Sequence, residues 1–194
     1  MRQRIVFMIC ILTLISTIMV STGFAFQNEP PGFRGIPWGT SIKDYIDKDN
    51  KIKVTLDNPA GFEMENTGIN LVFQKESGDF KDYYREGERL SFADAPVDSI
   101  TYSFYKDRFF RVMIKYSDMW NYENIKKQLF FVYGPAGEAP NSPKTWWWFG
   151  KNVSIGLNYS IYSRGGSISY IYSPIQRDRE SDQKKAARNG TEDF

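Results

Sequence analysis

Between Ser99 and Tyr116 the apolar side chains recur at every second position. Ile100, Tyr102 and Phe104 share one side of Ser99–Tyr105, and Phe110, Val112, Ile114 and Tyr116 share one side of Phe109–Tyr116. A period of two is the signature of half-buried strands, with Lys106-Asp107-Arg108 as the polar break between them. The pattern then changes abruptly: Tyr122, Ile125, Leu129, Val132 and Tyr133 are spaced by threes and fours, which predicts one apolar stripe on a helix. Gly134 and Pro135 stop that helix. A hairpin feeding an amphipathic helix restricts the chain to an α+β fold. We expect an antiparallel sheet of hairpins and meanders with two short-to-medium helices packed on one face.

The other segments fit that layout. Thr40 or Ser41 can cap a first helix, with Asp44 completing a capping box and Ile42, Tyr45 and Ile46 sharing a face. Ile36 and Trp38, just ahead of the cap, are placed to fold back over it. Strands are expected at Lys51–Leu56 and Ile69–Phe73, a loop at Lys75–Asp79, and a hairpin over Phe80–Phe92 tipped by Arg85-Glu86-Gly87-Glu88-Arg89. Pro135–Lys144 reads as a loop and Thr145–Phe149 as a strand or strand-like turn. Val153–Tyr162 alternates most cleanly, Arg164-Gly165-Gly166 reads as its turn, and Ile168, Tyr170 and Tyr172 return. Beyond Pro174, only Ile175 and Phe194 are large and apolar. Such a tail buries too little surface to offset its ordering, so disorder or a frayed helix is expected there.

The first 25 residues read as an export signal. Arg2 and Arg4 precede the aliphatic run Ile5–Val20, and Ser21-Thr22-Gly23-Phe24-Ala25 offers small residues for cleavage after Ala25. The run is about 16 residues, short of the roughly 20 that span a bilayer, and a retained anchor is the rival reading. The expected organisation is therefore a signal peptide at 1–25, a flexible lead-in at 26–32, one α+β domain at 33–174 and a charged disordered tail at 175–194. This predicts a periplasmic or secreted protein, membrane-associated only if the signal is uncleaved. Cys10 is the single cysteine and lies inside the signal, so the mature chain must draw its stability from its core. A composition 41% hydrophobic and 16% aromatic is sufficient for one.

Charge and residue types exclude much chemistry. Without Arg2 and Arg4 the 25 basic residues fall to 23, matching the 23 acidic ones. A neutral chain gives no electrostatic case for nucleic acid. The sequence holds no histidine, and with Cys10 removed it offers neither Ser-His-Asp nor Cys-His catalysis nor an ordinary zinc site. No phosphate loop or calcium loop is present, so no catalytic residue, cofactor or metal is expected. An enzyme would have to use a carboxylate pair, for which Asp79, Asp82, Glu86, Glu88, Asp94 and Asp98 crowd one region. Lys81, Arg85 and Arg89 interleave with them, as on a solvated hairpin tip.

Trp146-Trp147-Trp148-Phe149 invites a more specific reading. In a strand, Trp146 and Trp148 take one face while Trp147 and Phe149 take the other. With one wet side to the sheet, at least one pair is exposed or covered by a helix or loop; the alternative is that helices cover one face and the Pro135–Lys144 loop the other. An exposed pair would form a flat apolar platform for sugar rings or a protein partner. The partner-binding set named from sequence is Trp146, Trp148, Trp38, Tyr162 and Tyr172, beside a strand face bearing Ser154, Asn158, Ser160, Ser163, Ser167 and Ser169.

The run Phe33-Arg34-Gly35-Ile36-Pro37-Trp38-Gly39-Thr40-Ser41, with Tyr133-Gly134-Pro135 and Trp148-Phe149-Gly150-Lys151-Asn152 further on, resembles small exported proteins of Gram-negative bacteria. The resemblance spans about residues 33 to 173 and implies export and an α+β domain; no catalytic residue comes with it. The expected function is a non-enzymatic binding domain of the bacterial envelope, contacting a protein or envelope component through an aromatic patch and a sheet face. The alternatives are a polysaccharide- or cell-wall-acting hydrolase and a membrane-tethered structural protein.

Overall fold

The computed structural model of the chain describes residues 26, 28–42 and 71–189. The expected signal, the first helix beyond Ile42, the strand Lys51–Leu56 and the last five residues lie outside that set. Among the described residues the fold is α+β. An eight-stranded sheet has the order β3-β4-β7-β8-β12-β11-β10-β9, and every pairing in it is antiparallel. Its strands are β3 (Leu71–Ser77), β4 (Phe80–Arg85), β7 (Ser99–Tyr105), β8 (Arg108–Ser117), β9 (Gly137–Glu138), β10 (Thr145–Phe149), β11 (Val153–Ser160) and β12 (Gly165–Tyr172). Two small hairpins accompany it: β1 (Gly32–Phe33) with β2 (Ile36–Pro37), and β5 (Ser91–Phe92) with β6 (Ala95–Pro96).

The registers place Tyr102, Val112, Tyr170, Ile155 and Trp148 in one cross-strand row, all buried. The neighbouring row of Ile100, Ile114, Ile168, Leu157 and Trp146 points the same way. Helix α1 (Met119–Tyr133) lays Tyr122, Ile125 and Leu129 into this core. Asp118 caps it by accepting from the Asn121 backbone N–H at 2.8 Å, and Gly134 ends it at φ 78 with its own N–H on Phe130 O. The β1–β2 hairpin adds Phe33 and Ile36 to the same side, with Phe33 against Tyr102 and Tyr170. Arg34 in its turn reaches Glu88, whose carboxylate also accepts from the buried Tyr102 hydroxyl. Burial, then the Glu88 hydrogen bond, pushes the Tyr102 hydroxyl far above its ordinary pKa.

Several local features differ from the sequence reading, each for a visible reason. A register shift between Ser103 and Phe104 turns Phe109 into the core and Phe110 to the opposite face, reversing the expected parity there. The 106–107 turn is two residues long, since Arg108 already pairs with Tyr105. Lys75, Glu76 and Ser77 are not a loop but continue an edge strand, whose exposed charges hide the alternation. Phe80–Phe92 is not a hairpin: β4 pairs with β3 and β7, while β5 folds onto β6. In the expected Pro135–Lys144 loop, Gly137–Glu138 pairs with Trp146 and Trp147.

Gly165 and Gly166 are strand residues, the turn being 161–164. They are glycines because of crowding: a Cβ at Gly166 would sit 2.1 Å from Asn158 O and 2.4 Å from the Tyr116 hydroxyl oxygen. That hydroxyl donates to Asn158 O at 2.6 Å, so neither group can yield cheaply.

The segment expected to be disordered or a frayed helix is helical from Ser173 to Asn189 (α2). One buried apolar residue, Ile175, docks it against Tyr105 and Phe110 on the face opposite α1. Ion pairs replace the missing apolar contacts: Asp178 Oδ2 lies 2.8 Å from Arg108 Nη2, and Asp182 Oδ2 lies 2.7 Å from Lys106 Nζ and accepts from the Tyr105 hydroxyl at 3.0 Å.

Two outcomes are expected. Gly166→Ala will lower the urea midpoint by the equivalent of about 1–3 kcal/mol or more, through overpacking against backbone and a fixed hydroxyl. The Asp182 carboxyl is held below its usual range by the hydrogen bond from Lys106 and then that from Tyr105. Its contribution to docking α2 is thus present above the ordinary carboxylate pKa of about 4 and is lost as pH falls through the lower folded value. The helical circular dichroism of wild type will fall more than that of Asp182→Asn across this acid window.

Candidate functional site

The strand β10 divides its aromatics between the two sheet faces. Trp148 is 1% exposed: its Nε1–H donates to Gly134 O at 2.9 Å and its ring meets Phe130 edge-on at 5.2 Å. Trp146 is half-buried beside it, donating from Nε1 to the Tyr122 hydroxyl at 2.9 Å and meeting Phe130 at 5.1 Å. The Lys126 ammonium sits 4.8 Å from the Trp146 ring centroid. These two indoles, named from sequence as a binding platform, hold α1 on the sheet instead. The correction has a simple cause: a helix ending at Gly134 needs partners on β10, and the even-numbered tryptophans face it.

Trp147 and Phe149 take the other face. Their rings stack at 5.9 Å with an interplanar angle of 11°, and Phe149 is 62% exposed. Trp147 leans across β11 over Gly156, where a Cβ would lie 2.8 Å from its ring edge and from Ser169 Oγ. A glycine here lets an indole lie close to the sheet. The surrounding positions are hydroxyl- and amide-bearing. Ser154, Asn158, Ser160, Ser167 and Ser169 fall on this face by alternation, as read from the sequence, and Asn158 Nδ2 donates to Ser167 Oγ at 2.8 Å. Ser163 belongs to the adjoining turn.

The other named residues have different environments. Trp38 stacks on Phe109 at 4.7 Å and lies nearly parallel to Tyr172 at 6.3 Å, and its Nε1–H donates to Pro30 O at 2.9 Å. The structure does bring Trp38 and Tyr172 together, beside a cleft of about 330 Å³ that Glu29, Pro30, Pro31, Asn152 and Val153 also line. Its acid is already engaged, since the Glu29 carboxylate accepts the backbone N–H groups of Lys151, Asn152 and Val153. Trp38, committed to ring and carbonyl partners, acts as a docking residue. Tyr162 is 94% exposed at the tip of the β11–β12 hairpin, apart from both clusters.

Among the crowded acidic residues, Glu88, Asp82 and Asp98 each have a separate partner. Glu88 is bound to Arg34 and Tyr102 on the core side of the sheet, whereas Asp82 accepts from Ser103 Oγ at 2.6 Å on the opposite side. Asp98 accepts from Ser117 Oγ at 2.7 Å. Among the described residues no cluster of His, Cys, Asp and Glu could hold a metal ion, and no helix is long and apolar enough to cross a membrane. Comparison with known proteins found no matching family model, curated protein or solved structure.

Sequence reasoning separated the two ring pairs and put Trp146 and Trp148 in the binding set while leaving open which pair is exposed; the structure exposes Phe149 and buries Trp148. The discriminating signal was Gly156, opposite Trp147 in register, whereas Trp146 and Trp148 stand opposite Leu157 and Ile155. Trp148→Ala will cost about 3–5 kcal/mol in chemical denaturation, as expected for truncating a fully buried aromatic. Phe149→Ala will stay within about 0.5 kcal/mol of wild type, as exposed positions do.

Proposed function

We propose that this chain is an exported, non-enzymatic binding domain of the bacterial envelope, and that its contact surface is the open sheet face around Trp147 and Phe149. The observation that carries the reading is the stacked, outward-facing pair set among serine and asparagine side chains. An indole and a phenyl ring in near-parallel planes offer apolar surface at little conformational cost. The adjacent hydroxyl and amide groups supply donors and acceptors without fixed charge. That combination favours a sugar-bearing envelope component, whose ring C–H faces would stack while its hydroxyls exchange hydrogen bonds with the Ser/Asn row. The division of the acidic residues between the two sides of the sheet gives the hydrolase alternative no support.

The test is an array of envelope-derived oligosaccharides probed with purified protein, paired with capture from envelope extract. Binding of a defined glycan that weakens at least tenfold in both Trp147→Ala and Phe149→Ala supports the reading. Specific capture of one protein, lost in both variants while the array stays blank, replaces the glycan with a protein partner. Identical profiles for wild type and variants remove this face from the function.

A further inference from the structure

A second concavity, of about 220 Å³, lies on the same sheet face and is lined by Lys75, Ser77, Phe80, Asp82, Arg111 and Arg179. The register explains how it is assembled. Asp82, Ser103, Arg111, Ile171, Ser154 and Phe149 occupy one cross-strand row, so the cavity and the aromatic pair stand at opposite ends of one line. Arg111 and Phe149 are three strands apart, about 14 Å at the usual strand spacing. Arg179 reaches the cavity from α2, its guanidinium 5.6 Å from the Phe80 ring centroid.

Charge in this cavity is unbalanced. Three cationic side chains meet a single carboxylate, leaving an excess of two positive charges in the lining. Among the described residues, Lys75, Arg111 and Arg179 make no ion pair. Asp82 spends Oδ1 on the Ser103 hydroxyl, and Arg111 hydrogen-bonds to Ser103 Oγ, at 3.3 Å from Nη2 and 3.4 Å from Nε, with its guanidinium 5.6 Å from the Phe110 ring centroid. Arg179 Nε is buried and has no hydrogen-bond partner. An unsatisfied buried N–H on a charged group is costly, and two guanidinium groups facing one space repel each other. Burial lowers the Arg111 pKa, Asp82 only partly offsets this, and Arg179 adds to it.

We propose that this cavity binds a small oxyanion of the phosphate or phosphomonoester class. A dianion would neutralise the excess charge, and planar guanidinium forks match its oxygens in pairs. The orphaned Arg179 N–H would gain an acceptor, with the Ser77 hydroxyl and the Lys75 ammonium completing the set. The proposal stands apart from the aromatic face, because it uses different residues and a different chemistry.

The experiment is calorimetric titration of the full chain in chloride buffer of constant ionic strength, with inorganic phosphate and with methyl phosphate, alongside thermal melts. Saturable binding that raises the melting temperature is expected, and Arg179→Gln and Lys75→Gln should each weaken it at least tenfold. Lys126→Gln, on α1, should leave it unchanged. Tighter binding of methyl phosphate assigns the site to a phosphomonoester on a larger molecule, and tighter or equal binding of inorganic phosphate assigns it to the free ion. Absence of any effect beyond that of chloride, or equal binding by Arg179→Gln and Lys75→Gln with both variants folded by circular dichroism, overturns the proposal.

Discussion

The contact between Trp148 and the end of α1 decides which side of the sheet is dry. With the indole N–H on Gly134 O and the ring against Phe130, the helix can lie over only one face of β10. Every other assignment follows from strand alternation and register. Tyr102, Val112, Tyr170 and Ile155 share the Trp148 row and must be interior, whereas Phe149, Ser154, Ile171 and Arg111 share the opposite row. A single helix-to-strand contact therefore fixes both the composition of the core and that of the open face. A one-residue slip of β10 would exchange the two tryptophan parities and set Trp146 or Trp148, in place of Trp147, against Gly156.

How much of this is legible in the sequence depends on whether burial falls on one face or two. Most of the strands β7, β8, β11 and β12 and the helix α1 read directly, because one side of each is apolar and the other polar, the exceptions being the bulge at Phe109-Phe110 and the start of β12. Legibility fails where a residue's role is set by a neighbour far along the chain. Gly165-Gly166 looks like a turn, yet Gly166 is small because Tyr116 and Asn158 press on it from two strands. The tetrad at 146–149 is ambiguous because both faces of β10 carry rings, and only the seat of α1 resolves which pair is inside. The edge strand β3 is hidden by charges of the kind that protect sheet edges from further pairing.

The helix α2 shows a different limit. Its composition gives too little apolar surface to predict docking, and Ile175 alone would not hold 17 residues in place. The sheet supplies what the helix lacks, since Lys106, Arg108 and Tyr105 present cations and a hydroxyl where Asp178 and Asp182 come down. Exposed pairs of this kind are individually weak. Their combined effect with Ile175, Phe110 and Phe80 is to seat Arg179 beside Arg111, an arrangement that repulsion between two cations would otherwise disfavour.

That repulsion is the reason to read the basic end of the face as more than a solvated surface. A cation on an exposed strand is satisfied by water, and its placement carries no information. Arg179 differs in that its Nε is withdrawn from solvent without a protein acceptor, and Arg111 is partly withdrawn with the Ser103 hydroxyl as its hydrogen-bond acceptor and the Phe110 ring beside it. Groups so placed contribute little to folding. They raise its cost, and α2 must be held by other contacts to keep them there. The aromatic end has the same logic in apolar form: Phe149 adds almost nothing to the core, yet it stands stacked on Trp147 and open to solvent. One sheet face thus carries two departures from what stability alone would select, about 14 Å apart along one row. Each departure is of the kind that a bound partner, rather than the fold, would relieve.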